Sequence, residues 1–205
     1  MAQRYTLTFP ENYILGMLHA RTLLLNARVG DAAAVLDRLE VLPFEGSTDG
    51  RTLYREAQLL LGAEAFRAGD IDAAARRVAA AREWPEHLGA GKPYPEDVDE
   101  RVEDWMAARC LERRGKAAEA RVLFERLAAS PKARVAVGGL LSAAALAGLG
   151  RRADAVRAFD EWAALQTDPR VSAWGRRVCE GQPADWPADV PSNEEHRTVT
   201  AWLRK

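Results

Sequence analysis

The stretch LGAEAFRAGDIDAAARRVAAAREWP, residues 61–85, contains the spacing that decides the fold. Gly69 has a small residue seven positions before it, and Ala74 and Ala81 follow it at five and twelve positions. Small residues at this spacing let two helices approach closely, and Pro85 ends the second helix because proline cannot continue the helical hydrogen-bond ladder. The stretch therefore predicts two antiparallel helices joined at Gly69.

The same spacing recurs three more times along the 205 residues, which is typical of a helical repeat protein. The equivalent turn positions are Ala27, Gly115 and Gly150. We therefore predict an all-α fold in a single domain over residues 1–205. The predicted hairpins cover about residues 13–43, 51–85, 98–131 and 136–169, and a cap and tail follow at 171–204.

The second hairpin resembles the tetratricopeptide repeat, and the resemblance covers roughly residues 13–169. The positions that match the family's leucine–glycine pair, turn glycine and small packing residues are Leu61, Gly62, Gly69, Asp70, Ala74 and Ala81. The first hairpin departs most from the family pattern, with Ala27 in place of the turn glycine. The resemblance implies a right-handed α-solenoid of about four hairpins, whose concave groove binds a protein or peptide.

A second resemblance lies in EWPEHLGAGKPY, residues 83–94, which looks like the repeat tail of large bacterial proteins with an uncharacterised N-terminal domain. It implies a bacterial chain and a second hypothesis, an accessory module of a carbohydrate-processing system. The Gly89-Ala90-Gly91-Lys92 segment is not a phosphate-binding P-loop, because proline follows the lysine and a helix is predicted before the glycines. We expect a structural loop anchored by Trp84, Leu88 and Tyr94, with positive φ at its glycines.

The charge balance and apolar content limit the classes of partner. The chain has 29 basic and 30 acidic residues, a net charge of −1, whereas nonspecific nucleic-acid binding needs a basic excess. The longest near-apolar run, residues 135–149, is shorter than a bilayer span, and the first ten residues lack the features of a secretory signal. We expect no nucleic-acid or membrane partner, and a cytoplasmic protein with both cysteines reduced and mostly buried.

Catalytic and metal-binding patterns were sought among the histidines and acidic residues. No HExxH, GxSxG or Cys-His spacing occurs, and His19 is predicted to be a hydrogen-bonded core residue. The acidic residues between 97 and 104 suit helix starts and solvated faces, with Asp97 and Glu100 forming a capping box. The sequence predicts a protein that is not an enzyme and has no cofactor or bound metal.

The family resemblance also predicts which residues line the concave groove, because the first helix of each hairpin faces it. Among these positions the basic and aromatic ones are the candidate binding residues: Arg21, Phe66, Arg67, Trp105, Arg109 and Arg113. Arginine forks pair with carboxylates, so we expect a protein or peptide partner that carries acidic residues. The alternative is that the apolar members are covered by neighbouring helices and that the arginines are solvated above them.

Two further features concern the connections and the C-terminal tail. The long connections at residues 42–51 and 84–97 leave the same edge of the stack, so we expect them to pack together. A capping helix is predicted from Val171 to Glu180, and a last helix is predicted after the capping-box pattern Ser192-x-x-Glu195. We expect residues 182–204 to cover the apolar fourth hairpin and the capping helix of a monomer. The alternative is exchange of the tail between two subunits, and a structural homodimer formed through the terminal helices is the third hypothesis for the function.

Overall fold

The computed structural model describes residues 12–42, 49–132 and 135–204. Over these ranges it contains ten α-helices, a short 3-10 helix at Glu86–Leu88 and no strand, so the predicted all-α fold is confirmed. In chain order the helices are α1 (Tyr13–Leu25), α2 (Val29–Leu36), α3 (Asp49–Arg67), α4 (Ile71–Ala80), α5 (Arg101–Arg113), α6 (Ala117–Ala128), α7 (Val137–Gly148), α8 (Arg152–Ala163), α9 (Pro169–Cys179) and α10 (Glu194–Leu203).

All four predicted turn positions adopt the left-handed backbone conformation, which confirms their assignment from the spacing. The φ angles are 56° at Ala27, 82° at Gly69, 73° at Gly115 and 77° at Gly150. In each turn the next residue donates its backbone N–H to a carbonyl five residues earlier. These bonds run from Arg28 to Leu23 (2.9 Å), Asp70 to Ala65 (3.0 Å), Lys116 to Leu111 (3.0 Å) and Arg151 to Leu146 (3.0 Å). This pattern is the Schellman ending of a helix.

The helices that follow these turns begin with a shared electrostatic pattern. In three of them a basic residue at the start pairs with an acid three positions later: Arg28–Asp31 (2.7 Å), Lys116–Glu119 (3.0 Å) and Arg151–Asp154 (2.8 Å). At the start of α4, Asp70 instead accepts the backbone N–H of Ala73 at 2.9 Å. Each arrangement places a carboxylate at the N-cap or in the first turn, where the helix dipole favours negative charge.

The chain divides into two compact units, Met1–Gly62 with Arg76–Val98, and Ala63–Ala75 with Asp99–Lys205. Two of the three boundaries fall inside helices, α3 and α4, and the third lies between Val98 and Asp99, before α5. The single domain over residues 1–205 stays a prediction. In the first unit α1 packs against α2, and the core around them includes Leu53, Tyr54 and Ala57 of α3.

The two long connections pack together wherever both are described, as predicted. Val41 donates its backbone N–H to the carbonyl of His87 at 2.8 Å, and a Cβ added to Gly50 would lie 2.7 Å from the carbonyl oxygen of Leu88. Gly89 has the expected positive φ of 71°. Residues 43–48, with Pro43 and Gly46, lie outside the described residues.

Two expectations for the second connection are wrong. Gly91 does not have a positive φ, and Tyr94 does not anchor the loop because it is 74% exposed. The anchor is Leu88, which is completely buried. Trp84 is half-buried and lies under the guanidinium of Arg51, 4.8 Å from the ring centroid.

In the second unit, α5 packs against α6 and α7, α7 packs against α8, and α9 packs against both α7 and α8. From Val137 to Leu146 every residue of α7 except Ser142 is buried, so the apolar run at 135–149 contains a helix that is buried on most sides. Two glycines permit these close contacts. A Cβ on Gly138 would collide with the guanidinium of Arg101, and one on Gly175 would collide with the indole of Trp162.

The acidic residues near α5 differ from the sequence prediction. Glu103 and Asp104 are 1% and 5% exposed, so they do not form a solvated face. Asp104 accepts a hydrogen bond from Arg126, a residue of α6 that spacing within α5 cannot reveal. The predicted capping box is also wrong, because Glu100 at the N-cap makes no side-chain capping bond and Asp99 accepts the backbone N–H of Arg101 at 3.1 Å.

Candidate functional site: the surface that holds the C-terminal helix

The last helix, α10, begins with a reciprocal cap one residue later than predicted. Asn193 Oδ1 accepts the backbone N–H of His196 at 3.0 Å, and His196 Nδ1 accepts the backbone N–H of Asn193 at 3.2 Å. The predicted pair was Ser192 and Glu195. Histidine replaces the usual glutamate or glutamine of a capping box because its Nδ1 can reach the same N–H.

The surroundings of α10 cover it on more than one side. None of its ten residues is fully exposed. Its most buried residues are Thr198 (1%), Val199 (0%), Thr200 (4%), Trp202 (5%) and Leu203 (7%). Because three of these are consecutive and successive residues of a helix point in different directions, the burial extends well beyond a single apolar stripe. The helix lies in a groove of the second unit.

Contacts from three helices form this groove. α10 packs against α5, and Trp202 meets Phe66 of α3 with ring centroids 4.9 Å apart. The guanidinium carbon of Arg113 lies 5.2 Å from the same Phe66 ring. On the other side, Trp174 of α9 donates its indole N–H to Thr200 Oγ1 at 3.1 Å. We call Phe66, Arg113 and Trp174, together with the α5 face, the tail-binding surface.

An aromatic cluster holds the start of α10 against α9. The ring of His196 stacks on Trp186 with centroids 3.8 Å apart, and both rings meet Trp174 edge-on at 5.8 and 5.0 Å. Burial lowers the pKa of His196 to about 4, and the positive charge of Arg197 acts in the same direction. The imidazole is therefore neutral at physiological pH, as its Nδ1 acceptor role requires.

Four polar contacts fix the segment between α9 and α10. Arg170 pairs with Asp189 at 2.7 Å and Arg204 pairs with Asp185 at 2.8 Å. Arg177 Nε donates to the carbonyl of Pro183 at 2.7 Å, and Trp186 donates its indole N–H to the carbonyl of Val190 at 2.8 Å. The prediction that the tail folds onto the capping helix of its own chain is confirmed.

The predicted contact with the fourth hairpin is replaced by one with the third. The apolar face of α7 is covered by α9 instead, since Leu140 is completely buried and its carbonyl lies 3.9 Å from Sγ of Cys179. Gly175 of α9 also approaches Leu140 closely. With that face occupied, α10 packs on α5, the first helix of the third hairpin.

The structure brings together only some of the predicted groove residues. Phe66 and Arg113 are in contact, whereas Trp105 is 4% exposed and belongs to the packed interior. Arg109 pairs with Glu112 on its own helix at 3.1 Å, and Arg67 is exposed. In the first unit, Arg21 lies 3.6 Å from Asp49. Spacing identified Phe66 and Arg113, but it gave no indication that Trp202 would occupy the same place.

The two cysteines and His19 are further groups in the described ranges that could react or bind a metal. Burial raises the pKa of Cys110 to about 11 and that of Cys179 to about 12, so both thiols stay protonated. His19 is buried, but its Nδ1 has no hydrogen-bond partner among the described residues, contrary to expectation, and burial lowers its pKa. No group of three or more His, Cys, Asp or Glu side chains there could hold a metal ion. No helix in the described part of the chain has the length and apolar character needed to cross a bilayer.

Comparison of the chain with protein-family models finds no match. Comparisons with curated proteins and with solved structures find none either.

Proposed function

We propose that the protein is a noncatalytic scaffold, a tetratricopeptide-like right-handed solenoid of about four hairpins, that binds a helical segment of a partner protein on the tail-binding surface. The observation that carries this proposal is the burial of α10, none of whose ten residues is fully exposed. A surface that encloses a helix in this way has the shape that recognises a helical ligand. Helical repeat proteins commonly act through rigid surfaces of this kind.

The contacts of α10 indicate which partner the surface would accept. Phe66 accommodates a large aromatic side chain, the position of Trp202 in α10. Trp174 requires a hydrogen-bond acceptor on the ligand two residues before that aromatic residue, the position of Thr200. Arg113 is exposed beside Phe66 at this surface and favours carboxylates on the ligand. The expected partner is therefore an amphipathic helix with a Thr-x-Trp pattern and acidic residues.

A partner helix would have to compete with α10, which is tethered to the surface. A tethered segment acts at an effective concentration on the order of millimolar, so a free helix of equal intrinsic affinity binds weakly to the full chain. Weakening the tail should therefore strengthen binding from solution. Trp202→Ala removes the contact with Phe66 without changing the surface itself.

The test uses a synthetic peptide with the sequence of residues 190–204, added to the full chain and to its Trp202→Ala variant. We expect the peptide to bind the variant at least about tenfold more tightly, measured by calorimetry or fluorescence anisotropy. Phe66→Ala, introduced into the same variant, should weaken binding of the peptide, because it removes the ring that Trp202 of the peptide would meet.

The matched control is a peptide of the same length in which the residue corresponding to Trp202 is alanine; it should bind neither protein. Absence of saturable peptide binding to the Trp202→Ala variant, with the variant folded by circular dichroism, would refute the proposal. The surface would then hold α10 only as a part of the fold.

A further inference from the structure

The outward face of α1 carries a stripe of exposed apolar side chains. Ile14 is 63% exposed, Leu18 is 54% exposed and Leu25 is 62% exposed. With about 100° between successive helical residues, these three and Arg21 fall within an arc of about 60°, along a length of about 17 Å. Single exposed apolar residues are common on protein surfaces, whereas a contiguous patch of them marks an interaction surface.

The opposite face of α1 already packs within the first unit. Ala20 and Leu23 are buried in the core that α1 shares with α2 and α3. By contrast α7, the first helix of a later hairpin, packs against α5, α6, α8 and α9. The exposed stripe therefore lies where the described helices leave α1 uncovered.

The composition of α1 differs from that of helices whose outer faces meet water. Arg21 is the only Asp, Glu, Lys or Arg among the 13 residues of α1, whereas α6 has four among 12 and α8 has five among 12. A helix that is apolar all round is normally buried, and the ends of helical repeat arrays normally present polar faces to water. The outward face of α1 therefore has the composition of an interface.

The stripe has the spacing of a seam between two paired helices. Ile14, Leu18, Arg21 and Leu25 are separated by four, three and four residues, the alternation with which helices pack along each other. This order reads the same in both directions, so an antiparallel copy of α1 matches it residue for residue. Ile14 then faces Leu25 of the second copy, and Leu18 faces Arg21, in a closed contact with two-fold symmetry.

The one charge in the stripe is compatible with such a pair. Arg21 Nη2 lies 3.6 Å from Oδ1 of Asp49, the first residue of α3, and both side chains are more than half exposed. Two-fold pairing places the two Arg21 residues about 4.5 Å apart along the helix axis. The Asp49 beside each arginine offsets their repulsion, and the apolar stem of each arginine covers Leu18 of the second copy. The surface therefore complements itself in charge as well as in spacing.

We propose that α1 pairs with α1 of a second copy of this chain, antiparallel about a two-fold axis between Leu18 and Arg21, to form a homodimer. A single pair of short helices buries less than the roughly 1,200 Å² of a standard interface, so we expect a dissociation constant on the order of 100 µM. The contact uses no residue of the tail-binding surface and is independent of the function proposed there.

Sedimentation velocity of the full chain, from about 5 µM to about 1 mM, measures the equilibrium between monomer and dimer. We expect Leu18→Lys to weaken dimerisation at least about tenfold, because the lysine faces Arg21 of the second copy. Leu18→Glu should weaken it less, because the glutamate faces the same arginine with opposite charge. Leu165→Lys is the matched control, since Leu165 is 52% exposed and lies outside α1, and it should leave dimerisation unchanged. Circular dichroism checks that each variant is folded.

Disulfide cross-linking tests the antiparallel register. An Ile14→Cys chain mixed with a Leu25→Cys chain should form a linked dimer, because facing residues of paired helices lie within the Cα separation that a disulfide bridges. Neither chain alone should do so, since equivalent residues of the two copies then lie about 17 Å apart along the axis. The native thiols of Cys110 and Cys179 stay protonated and do not compete.

Three results would each overturn the proposal. The first is a chain that stays monomeric at the highest concentration. The second is a dimer that Leu18→Lys and Leu165→Lys weaken equally, which would place the contact elsewhere. The third is cross-linking of either cysteine chain alone as efficient as that of the mixture.

Discussion

Ala27 occupies a backbone position that glycine fills in the three equivalent turns. Its φ of 56° lies in the left-handed region, which costs a residue with a Cβ roughly 1–2 kcal/mol relative to the right-handed one. The surrounding hydrogen bonds, with Arg28 bonded to Leu23 at 2.9 Å, hold it there. The first hairpin therefore stores strain that the others avoid.

We predict that Ala27→Gly raises the free energy of unfolding by up to about 1 kcal/mol, because glycine adopts this φ without strain and only its greater freedom in the unfolded chain opposes the gain. The reverse change, Gly115→Ala, is the matched control. No atom lies within 4 Å of a Cβ added there, so its expected loss of about 1 kcal/mol is purely conformational. Urea denaturation measures the free energy of unfolding of both variants and of the original chain. An Ala27→Gly variant that is less stable than the original chain would contradict the prediction.

The contrast between Ala27 and Asp104 shows what could be predicted at the residue scale. Spacing alone located all four turns, including the one without glycine, because every hairpin needs the same reversal of the chain. It could not reveal that Glu103 and Asp104 are buried, since the hydrogen bond that accommodates Asp104 comes from Arg126, 22 residues away. Local patterns predict local geometry, whereas buried charge depends on contacts between helices.

At the scale of elements, α10 illustrates the same limit. Its apolar residues Val199, Trp202 and Leu203 predicted a helix that docks on its own chain or on a second subunit, and all three are buried in the chain itself. Its predicted contact with the capping helix is confirmed, but its predicted contact with the fourth hairpin was wrong, because α9 already covers Leu140 of α7. The half of the candidate site contributed by Phe66 and Arg113 was predictable, but its occupant was not.

The aromatic cluster makes the attachment of α10 sensitive to acid. The pKa of His196 is about 4 in the folded chain and about 6.5 in an unfolded one, so the unfolded state binds more protons between these values. The stability from a neutral His196 is complete above about pH 6.5 and is lost as the pH falls towards 4. We predict that the melting temperature falls over this window.

His196→Gln is the matched variant for this prediction, because glutamine preserves the capping box but does not titrate. The difference in melting temperature between pH 7 and pH 5 should be smaller in the variant than in the original chain. Equal pH dependence in the two chains would show that the fall in melting temperature comes from another group, such as His19, whose pKa is also lowered by burial.

At the scale of the whole molecule, most of the inference from sequence to fold rests on repetition. Four occurrences of one spacing predicted an all-α chain, and each hairpin turn repeats the same Schellman hydrogen bond. The parts that do not repeat, the connection at 84–97 and the tail after Gly181, are the parts whose details the sequence could not provide. Their contacts depend on which surfaces the repeated helices leave open.

The final prediction concerns removal of the tail from the full chain by truncation after Gly181. This change uncovers Phe66 and Trp174 and removes the buried Val199, Trp202 and Leu203, each of which contributes roughly 1.5–3 kcal/mol of apolar burial before ordering costs are subtracted. A net loss of about 2 kcal/mol would lower the melting temperature by roughly 4–8 °C in a chain of this size. The truncated chain should also bind an apolar dye and aggregate at lower concentration.

Arg204→Gln in the full chain is the control, since it removes only the exposed ion pair with Asp185 and should leave the melting temperature nearly unchanged. Scanning fluorimetry and light scattering make these measurements, and a truncated chain that stays monomeric and melts with the full one would show that the tail covers no surface of consequence.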